Sequence, residues 1–379
     1  MKIGIDATLV RKENTGSGFY IINLIDAVFR LDSSNVYYIF TNKNNFELFI
    51  KKKQPNLIII DKKFIGRLSR VLWEFFILPF EIKKRKIDIL HSPNYITPLF
   101  KLGFKTIATI HDLTVYLFPD KYTIVKRLFY KFTMPIFVKL SDLIIAVSDN
   151  TKKDILKILR ANEKKVKITF ESYPEYYNND KDRVLSEKVL QKYGILKEFI
   201  LFVGMIEPRK NILSILKGFI NLDKEINADL VIVGKKGWYF QEIDDYLKKI
   251  DLEKLKNKII FTGFVCEGEV IYFYQSALIF IYPSVYEGFG LPLLLAMACG
   301  TPVITSNLSS LPEVVGDAAI KINPENIYEL EENIKFLYNN PLKRKGLIDK
   351  GLQQCKKFNP NNFGRNIIKV YEECMDYIK

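Results

Sequence analysis

Histidine and cysteine are scarce in this chain. Only His91 and His111 occur in 379 residues, and the four cysteines (Cys266, Cys299, Cys355, Cys374) are too widely spaced for a metal-ligand pattern. A disulfide scaffold and a Cys/His metal cluster are thereby excluded, and the cysteines read as reduced thiols. Long apolar runs are missing too. The densest stretch, Val71–Phe80, is about half of the ~20 residues that a spanning helix needs, and Glu74 interrupts it. The first residues, Met1–Asp6, read as a strand and not as the charged-then-apolar start of a signal peptide, so a cytoplasmic protein is expected. No Gly-x-Gly-x-x-Gly follows the first strand, so the dinucleotide fingerprint fails.

What remains is ordinary for a globular chain, with 48% hydrophobic and 26% charged residues, which excludes a mostly disordered or collagen-like one. At about 150 residues per domain the length suggests two domains, or three small ones. The net charge of +14 is unevenly spread. Up to Asp180 there are 30 basic against 18 acidic residues (+12), and beyond it 27 against 25 (+2). The excess points to an anionic partner of the first half: nucleic acid, anionic lipid or a phosphorylated substrate. A solvated basic surface is the plain alternative. No helix-turn-helix or other nucleic-acid recognition motif stands out.

Short apolar runs alternate with helical patterns. In the first half the predicted strands are Lys2–Asp6, Val36–Thr41, Leu57–Ile60, Ile87–Leu90, Thr106–Ile110, Leu143–Val147 and Lys167–Phe170. In the second half they are Phe199–Val203, Asp229–Val233, Ile259–Phe261, Leu278–Tyr282, Pro302–Thr305 and Ala318–Ile322. Many are continuously apolar, as in strands covered on both faces of a parallel sheet. The order implies two doubly wound α/β domains. Glu171–Asp182, rich in turn formers and without apolar periodicity, reads as the linker. Ligands of such sheets bind beyond the carboxyl ends of the strands, so function is sought in the loops there.

Three loops fit an anionic ligand. Thr15-Gly16-Ser17-Gly18 precedes a helical run over Gly18–Arg30, where backbone N–H groups can meet a phosphate. Gly204–Asn211 places Arg209 and Lys210 at a strand-to-helix junction, a planar fork beside a point charge, suited to a diphosphate. Pro283–Pro292 carries Glu287 beside Gly288, Phe289 and Gly290 at another helix start, where a carboxylate can accept from sugar hydroxyls. His111 and His91 each directly follow a predicted strand. His111 is the stronger candidate because the adjacent Asp112 can orient or charge an imidazole.

Together these segments resemble the retaining glycosyltransferases of family 4. The resemblance rests on FVGMIEPRKN (Phe202–Asn211), FTGFV (Phe261–Val265), PSVYEGFGLP (Pro283–Pro292), AMACGTPVITSN (Ala296–Asn307) and SLPEVVGDAA (Ser310–Ala319). In the first half TGSGFYIINL (Thr15–Leu24), HSPNY (His91–Tyr95), IHDLT (Ile110–Thr114) and AVSDNTKKDI (Ala146–Ile155) also fit. The nearest branch is that of mannosyltransferases acting on bacterial surface polysaccharides (O-antigen, capsule or exopolysaccharide, as in lipopolysaccharide). The resemblance implies the α/β GT-B fold, two Rossmann-like doubly wound parallel-sheet domains facing a central cleft. Residues 1–175 would form the acceptor domain and 183–360 the nucleotide-sugar donor domain. The C-terminal helix, 361–379, would pack back on the N-terminal domain.

The roles implied follow residue by residue. His111 and Glu287 are the catalytic candidates, with His111 near the reacting carbon of the donor sugar. Arg209, Lys210, Gly16 and Gly18 would lie on the donor diphosphate; Gly288, Phe289, Gly290 and Leu291 on the donor sugar; Phe264 and Val265 on the nucleobase. The donor would be a hexose of mannose or glucose type on a nucleoside diphosphate, such as GDP-mannose, and the acceptor a glycan or lipid-diphosphate-linked glycan. No cofactor or metal is expected, in keeping with the lack of an Asp-x-Asp after a strand. Fixed cations and helix N-termini would then carry the leaving diphosphate. One departure stands out. The family places a second glutamate eight positions after Glu287, at the nucleotide ribose, and here that position is Leu295. A degenerate, non-catalytic GT-B protein acting as a partner or sugar-binding subunit is the alternative this leaves.

Arg67–Phe80 and Lys126–Lys139 mix aromatics with cations. In the first, Leu68, Val71, Leu72, Phe75 and Phe76 follow helical spacing and Pro79 is expected to end the run. Both read either as helices lying in an anionic membrane interface at the inner face of the plasma membrane or as core-packing helices.

Overall fold

The computed structural model describes residues 1–11, 16–45, 57–180, 182–237 and 240–377, and Thr15 of the first glycine loop lies outside them. The chain divides into two compact units, Met1–Ser172 with Pro360–Lys379, and Tyr173–Asn359.

The first unit is built on a seven-stranded, wholly parallel sheet. Its strands are β1 (Lys2–Ala7), β2 (Val36–Asn42), β3 (Leu57–Lys62), β4 (Ile89–Ser92), β5 (Lys105–Ile110), β6 (Leu143–Ala146) and β7 (Val166–Ile168). They lie in the order β3-β2-β1-β4-β5-β6-β7. The second unit holds β8 (Phe199–Val203), β9 (Asp229–Val233), β10 (Ile259–Gly263), β11 (Ile279–Tyr282), β12 (Val303–Ser306) and β13 (Ala319–Ile322). Their order is β10-β9-β8-β11-β12-β13, again all parallel. β-Branched runs such as Leu230–Val233 are buried throughout, because helices cover both faces of each sheet. In each unit the strand order reverses beside its first strand, between β1 and β4 and between β8 and β11. Chains leaving the carboxyl ends of such a pair diverge to opposite faces and open a crevice.

The C-terminal helix, Pro360–Asp376, belongs to the first unit. Phe363, Ile367, Val370, Tyr371 and Cys374 form its buried stripe. It lies against the helix Ser17–Leu31, where Gly364 comes so close that an added Cβ would stand 2.5 Å from the carbonyl oxygen of Ala27.

Several readings of the sequence need correction. The expected linker, Glu171–Asp182, contains the boundary between the units, at Ser172 and Tyr173, but residues 173–180 are more than a linker. Tyr177 is buried against Tyr274, and Gln275 donates to the carbonyl oxygens of Asn178 (2.9 Å) and Asp180 (3.1 Å), so this segment is part of the second unit. Pro79 does not end a helix. The run is α-helical over Arg67–Leu72, widens to a π turn over Trp73–Ile77, and resumes as Leu78–Arg85 with Pro79 in its first turn. Trp73 and Val71 enter the core, whereas Leu68, Leu72 and Phe76 face outward.

Candidate active site

In the second unit two loops leave the diverging strands β8 and β11. The first turns through a 3₁₀ segment, Pro208–Lys210, before the helix Ile212–Asn221. The second runs from β11 into the helix Leu291–Ala298, whose first turn holds Pro292. The two are tied together. The N–H of Val285 donates to the carbonyl oxygen of Arg209 at 2.8 Å, and the Ser284 hydroxyl lies 2.9 Å from that same oxygen.

Glu287 is the hub of this region. Arg209 donates from Nη1 to its Oε2 at 2.6 Å and to the carbonyl oxygen of Tyr286 at 3.1 Å. On the other side Oε1 meets Lys210 Nζ, the Ser284 hydroxyl at 2.6 Å and the Tyr282 hydroxyl at 3.1 Å. Glu207 takes the remaining edge of the fork, with Oε1 2.5 Å from Arg209 Nε. Lys210 and Glu287 are both buried. Burial alone would raise the Glu287 carboxyl, but the Arg209 and Lys210 charges overcome it and hold the group at about 2. Burial and the neighbouring Arg209 cation pull Lys210 below its ordinary value, against the opposing charge of Glu287. The result is two fixed cations braced by two fixed carboxylates, with little freedom to reorganise.

The backbone beyond Glu287 is fixed as firmly. Ser309 accepts from the Glu287 N–H at 3.0 Å and donates to its carbonyl oxygen at 2.5 Å. Ser310 sits within 2.9 Å of the Glu287 carbonyl and 2.8 Å of that of Phe289. Gly290 caps the helix at φ 110°, and a Cβ there would meet Leu311 at 2.8 Å. Gly288 lies within this braced turn. The Phe289 ring is buried against Phe358, so its side chain serves packing. Leu291 opens the helix and is half-buried, and Leu295, one turn on, is buried. Phe264, just past β10, is partly exposed with Lys235 Nζ 4.4 Å above its ring, whereas Val265 is buried.

In the first unit Gly16 precedes the helix Ser17–Leu31 and is exposed, whereas Gly18 is buried in its first turn. His111 is the first residue past β5. Its Nε2 lies 3.0 Å from the carbonyl oxygen of Pro93 and its Nδ1 3.4 Å from Oε1 of Glu171. Burial opposes its charging, but Glu171, Pro93 and Asp112 together raise it above its ordinary value. Asp112, expected to orient the imidazole, turns instead to Thr114, accepting from its N–H at 3.0 Å and from its hydroxyl. His91 does not follow its strand as expected. It lies inside β4, fully buried, between the Tyr371 hydroxyl on Nδ1 and the Thr109 hydroxyl on Nε2, each at 2.9 Å. Burial and the charge of His111 push it down to about 3, so it is a neutral core residue.

Sequence reasoning missed Glu207, Tyr282, Ser284, Ser309 and Glu171. Glu207 and Ser284 stand within matched motifs but carried no spacing signal, and Tyr282 was read only as the end of a predicted strand. Glu171 was counted with the linker. Among the described residues no group of three or more His, Cys, Asp or Glu side chains could hold a metal ion.

Comparison with known proteins agrees with this layout. Residues 187–354 match the family described as glycosyl transferases group 1, and residues 16–169 match glycosyltransferase family 4. The chain is 30% identical over 295 residues to O-antigen chain mannosyltransferase B of Escherichia coli, spanning 77% of this chain and 76% of that one. It is 26% identical to O-antigen chain mannosyltransferase RfbU of Salmonella typhimurium, over 89% and 91% of the two chains. It spans about a third (34%) of the length of a serotype-specific mannosyltransferase WbdA of E. coli, at 28% identity. Two solved structures share the fold. Anabaena Alr3699/HepE, in complex with UDP-glucose, superposes with a TM-score of 0.77 at 14% identity over 98% of this chain and all of that one. A Rickettsia africae glycosyltransferase superposes at 0.75 and 17%, over 99% and 98%.

Proposed function

This chain belongs to the glycosyltransferases of those two family models, and from that premise we propose that it is a retaining, metal-independent hexosyltransferase of surface-polysaccharide synthesis. The donor is a nucleoside-diphosphate hexose, with GDP-mannose first, and the acceptor a glycan or lipid-diphosphate-linked glycan. The mannosyltransferase names of its relatives support the sugar. The braced Arg209–Lys210–Glu287 cluster at the start of two helices carries the reading.

The chemistry follows from what a departing diphosphate needs. As the bond from C1 to the phosphate oxygen breaks, negative charge grows on that oxygen. Arg209 and Lys210 are already held in place to receive it, and the helix starts beside them add partial positive charge. The leaving oxygen takes the acceptor's hydroxyl proton while the new C1–O bond forms on the same face, which retains configuration. Glu287 fixes both cations and accepts from donor sugar hydroxyls, with the Gly288–Leu291 backbone alongside it. Gly16 and Gly18 adjoin the phosphates, Phe264 and Val265 the base, and His111 the transferred sugar near its reacting carbon.

The first unit also fits a membrane surface. Arg67–Phe80 and Ile124–Leu140 pack together through Val71, Phe75 and Phe137, and leave Leu68, Leu72, Phe76, Val125 and Phe132 exposed beside Lys83, Lys84, Lys126 and Lys131. We place this surface on the anionic inner face of the plasma membrane, at the lipid-linked acceptor. Among the described residues no helix is long and apolar enough to cross a membrane.

One observation favours a second reading, a non-catalytic sugar-binding subunit: buried Leu295 stands where the family has its ribose-binding glutamate. Incubation with GDP-mannose and an undecaprenyl-diphosphate-linked acceptor, with and without EDTA, separates the two. The proposal expects an EDTA-insensitive product of donor configuration. An inverted product, loss of activity with EDTA, or no transfer from any nucleotide sugar contradicts it.

A further inference from the structure

The His111 ring is enclosed by groups of its own unit. Its Nε2 faces the Pro93 carbonyl oxygen at 3.0 Å and its Nδ1 faces the Glu171 carboxylate at 3.4 Å. The Tyr20 ring stands nearly perpendicular to it at 4.7 Å. A carbonyl oxygen can only accept, so Nε2 carries a proton. A carboxylate can only accept as well, so the contact with Nδ1 is satisfied when that nitrogen is protonated too. We propose that Glu171 is a positioning residue that holds His111 as an imidazolium with both N–H groups committed within the unit. In the transfer reaction His111 then presents a fixed positive charge and a C–H edge, and no proton-accepting nitrogen. The protonation state stands on geometry alone, and the part it plays in the reaction rests on the glycosyltransferase reading.

The surroundings agree. The charged or titratable groups facing His111 are Glu171 and Asp112, both acidic, Tyr20, which burial keeps protonated, and His91. Glu171 follows β7, the edge strand of the sheet, so its carboxylate reaches the ring from an element distant in sequence. A positive His111 also explains why its neighbour stays neutral. Two neighbouring imidazolium ions would repel, and His91, fully buried, has two hydroxyl partners that a neutral ring satisfies.

The chain's two histidines make this directly measurable. Ring-¹⁵N histidine labelling of the full chain yields one pair of nitrogen signals per residue. We expect His91 to stay neutral between about pH 5 and 8, the range where histidines ordinarily titrate. His111 should titrate with a midpoint above 6.5, its unperturbed value. In Glu171→Gln that midpoint should fall, because burial then acts without the paired carboxylate, and unchanged His91 signals report that the packing survives. Transfer by the variant should match the unmodified chain at low pH, where both carry the cation. Its kcat should fall progressively further behind as pH rises between the two midpoints, with KM for the donor little changed. Glu171→Asp should restore part of the raised midpoint. A His111 that is neutral at pH 6.5, or a midpoint that Glu171→Gln leaves in place, overturns the proposal. A titration that behaves as expected in a chain that transfers no sugar overturns the transferase reading and His111's part in it, but not the ion pair.

Discussion

Glu287 and Glu74 are both buried carboxyls, yet their surroundings drive them in opposite directions. Two cations hold Glu287 at about 2, so its contribution to stability is complete above about 4.5 and is lost as pH falls toward 2. Glu74 sits in the π turn with Arg70 as its one cationic partner among the described residues, 2.5 Å from its Oε1, and with the Thr8 hydroxyl shared between it and Asp6. Burial and the Asp6 charge outweigh Arg70 and push Glu74 up to about 8. Between 4.5 and 8 the folded chain therefore keeps a proton that the unfolded chain has lost, and stability drains as pH rises through that window. Glu74→Gln removes that dependence. We expect the unfolding free energy of the variant, from chemical denaturation, to gain on the unmodified chain from pH 5 to pH 8, by about 1.4 kcal/mol per pH unit at most. Parallel curves across that range would contradict the assignment. At the donor cluster, Lys210→Ala leaves Glu287 paired with Arg209, so the fold should survive while transfer falls about 10²-fold, the scale of losing one preorganised charge partner.

Among the elements, the strands were the most legible in the sequence. The predicted apolar runs all became strands because β-branched residues covered on two faces leave little choice of structure. The boundaries were less legible where polar residues continue a ladder. His91 pairs between Ile5 and Ile107 because its neighbours hold the register, which no local spacing reveals. Tyr177 read as loop because Tyr274, against which it is buried, lies about a hundred residues further along the chain. The site followed the same division: Arg209, Lys210 and Glu287 stand in recognisable loops, whereas Glu171 meets His111 only through the sheet. The C-terminal helix offers a sharp test at this scale. Gly364→Ala drives a methyl into the Ala27 carbonyl and should cost about 1–3 kcal/mol in chemical denaturation. Unchanged stability would mean that the helix is not seated so closely on Ser17–Leu31.

For the whole molecule, charge and apolar exposure fall together. The first half carries +12 of the net +14, and it also presents the outward faces of Arg67–Phe80 and Ile124–Leu140. We expect flotation with phosphatidylglycerol vesicles, weakened by salt and by the pair Phe76→Asp and Phe132→Asp, since each cation near anionic lipid adds ~1 kcal/mol. Equal recovery with neutral vesicles would argue against that surface. The proposed role of the Arg209–Lys210–Glu287 cluster is to hold a nucleoside-diphosphate sugar. Thermal melting of the full chain against UDP, GDP and ADP and their common hexose conjugates tests it most directly. A ligand at one hundred times its dissociation constant should add ~2.7 kcal/mol to stability. We expect one nucleotide family to raise the melting temperature, GDP and GDP-mannose first, and the rise to be lost in Lys210→Ala. No shift with any of them at millimolar concentration would contradict it and leave Leu295 as the mark of a chain that no longer binds a donor.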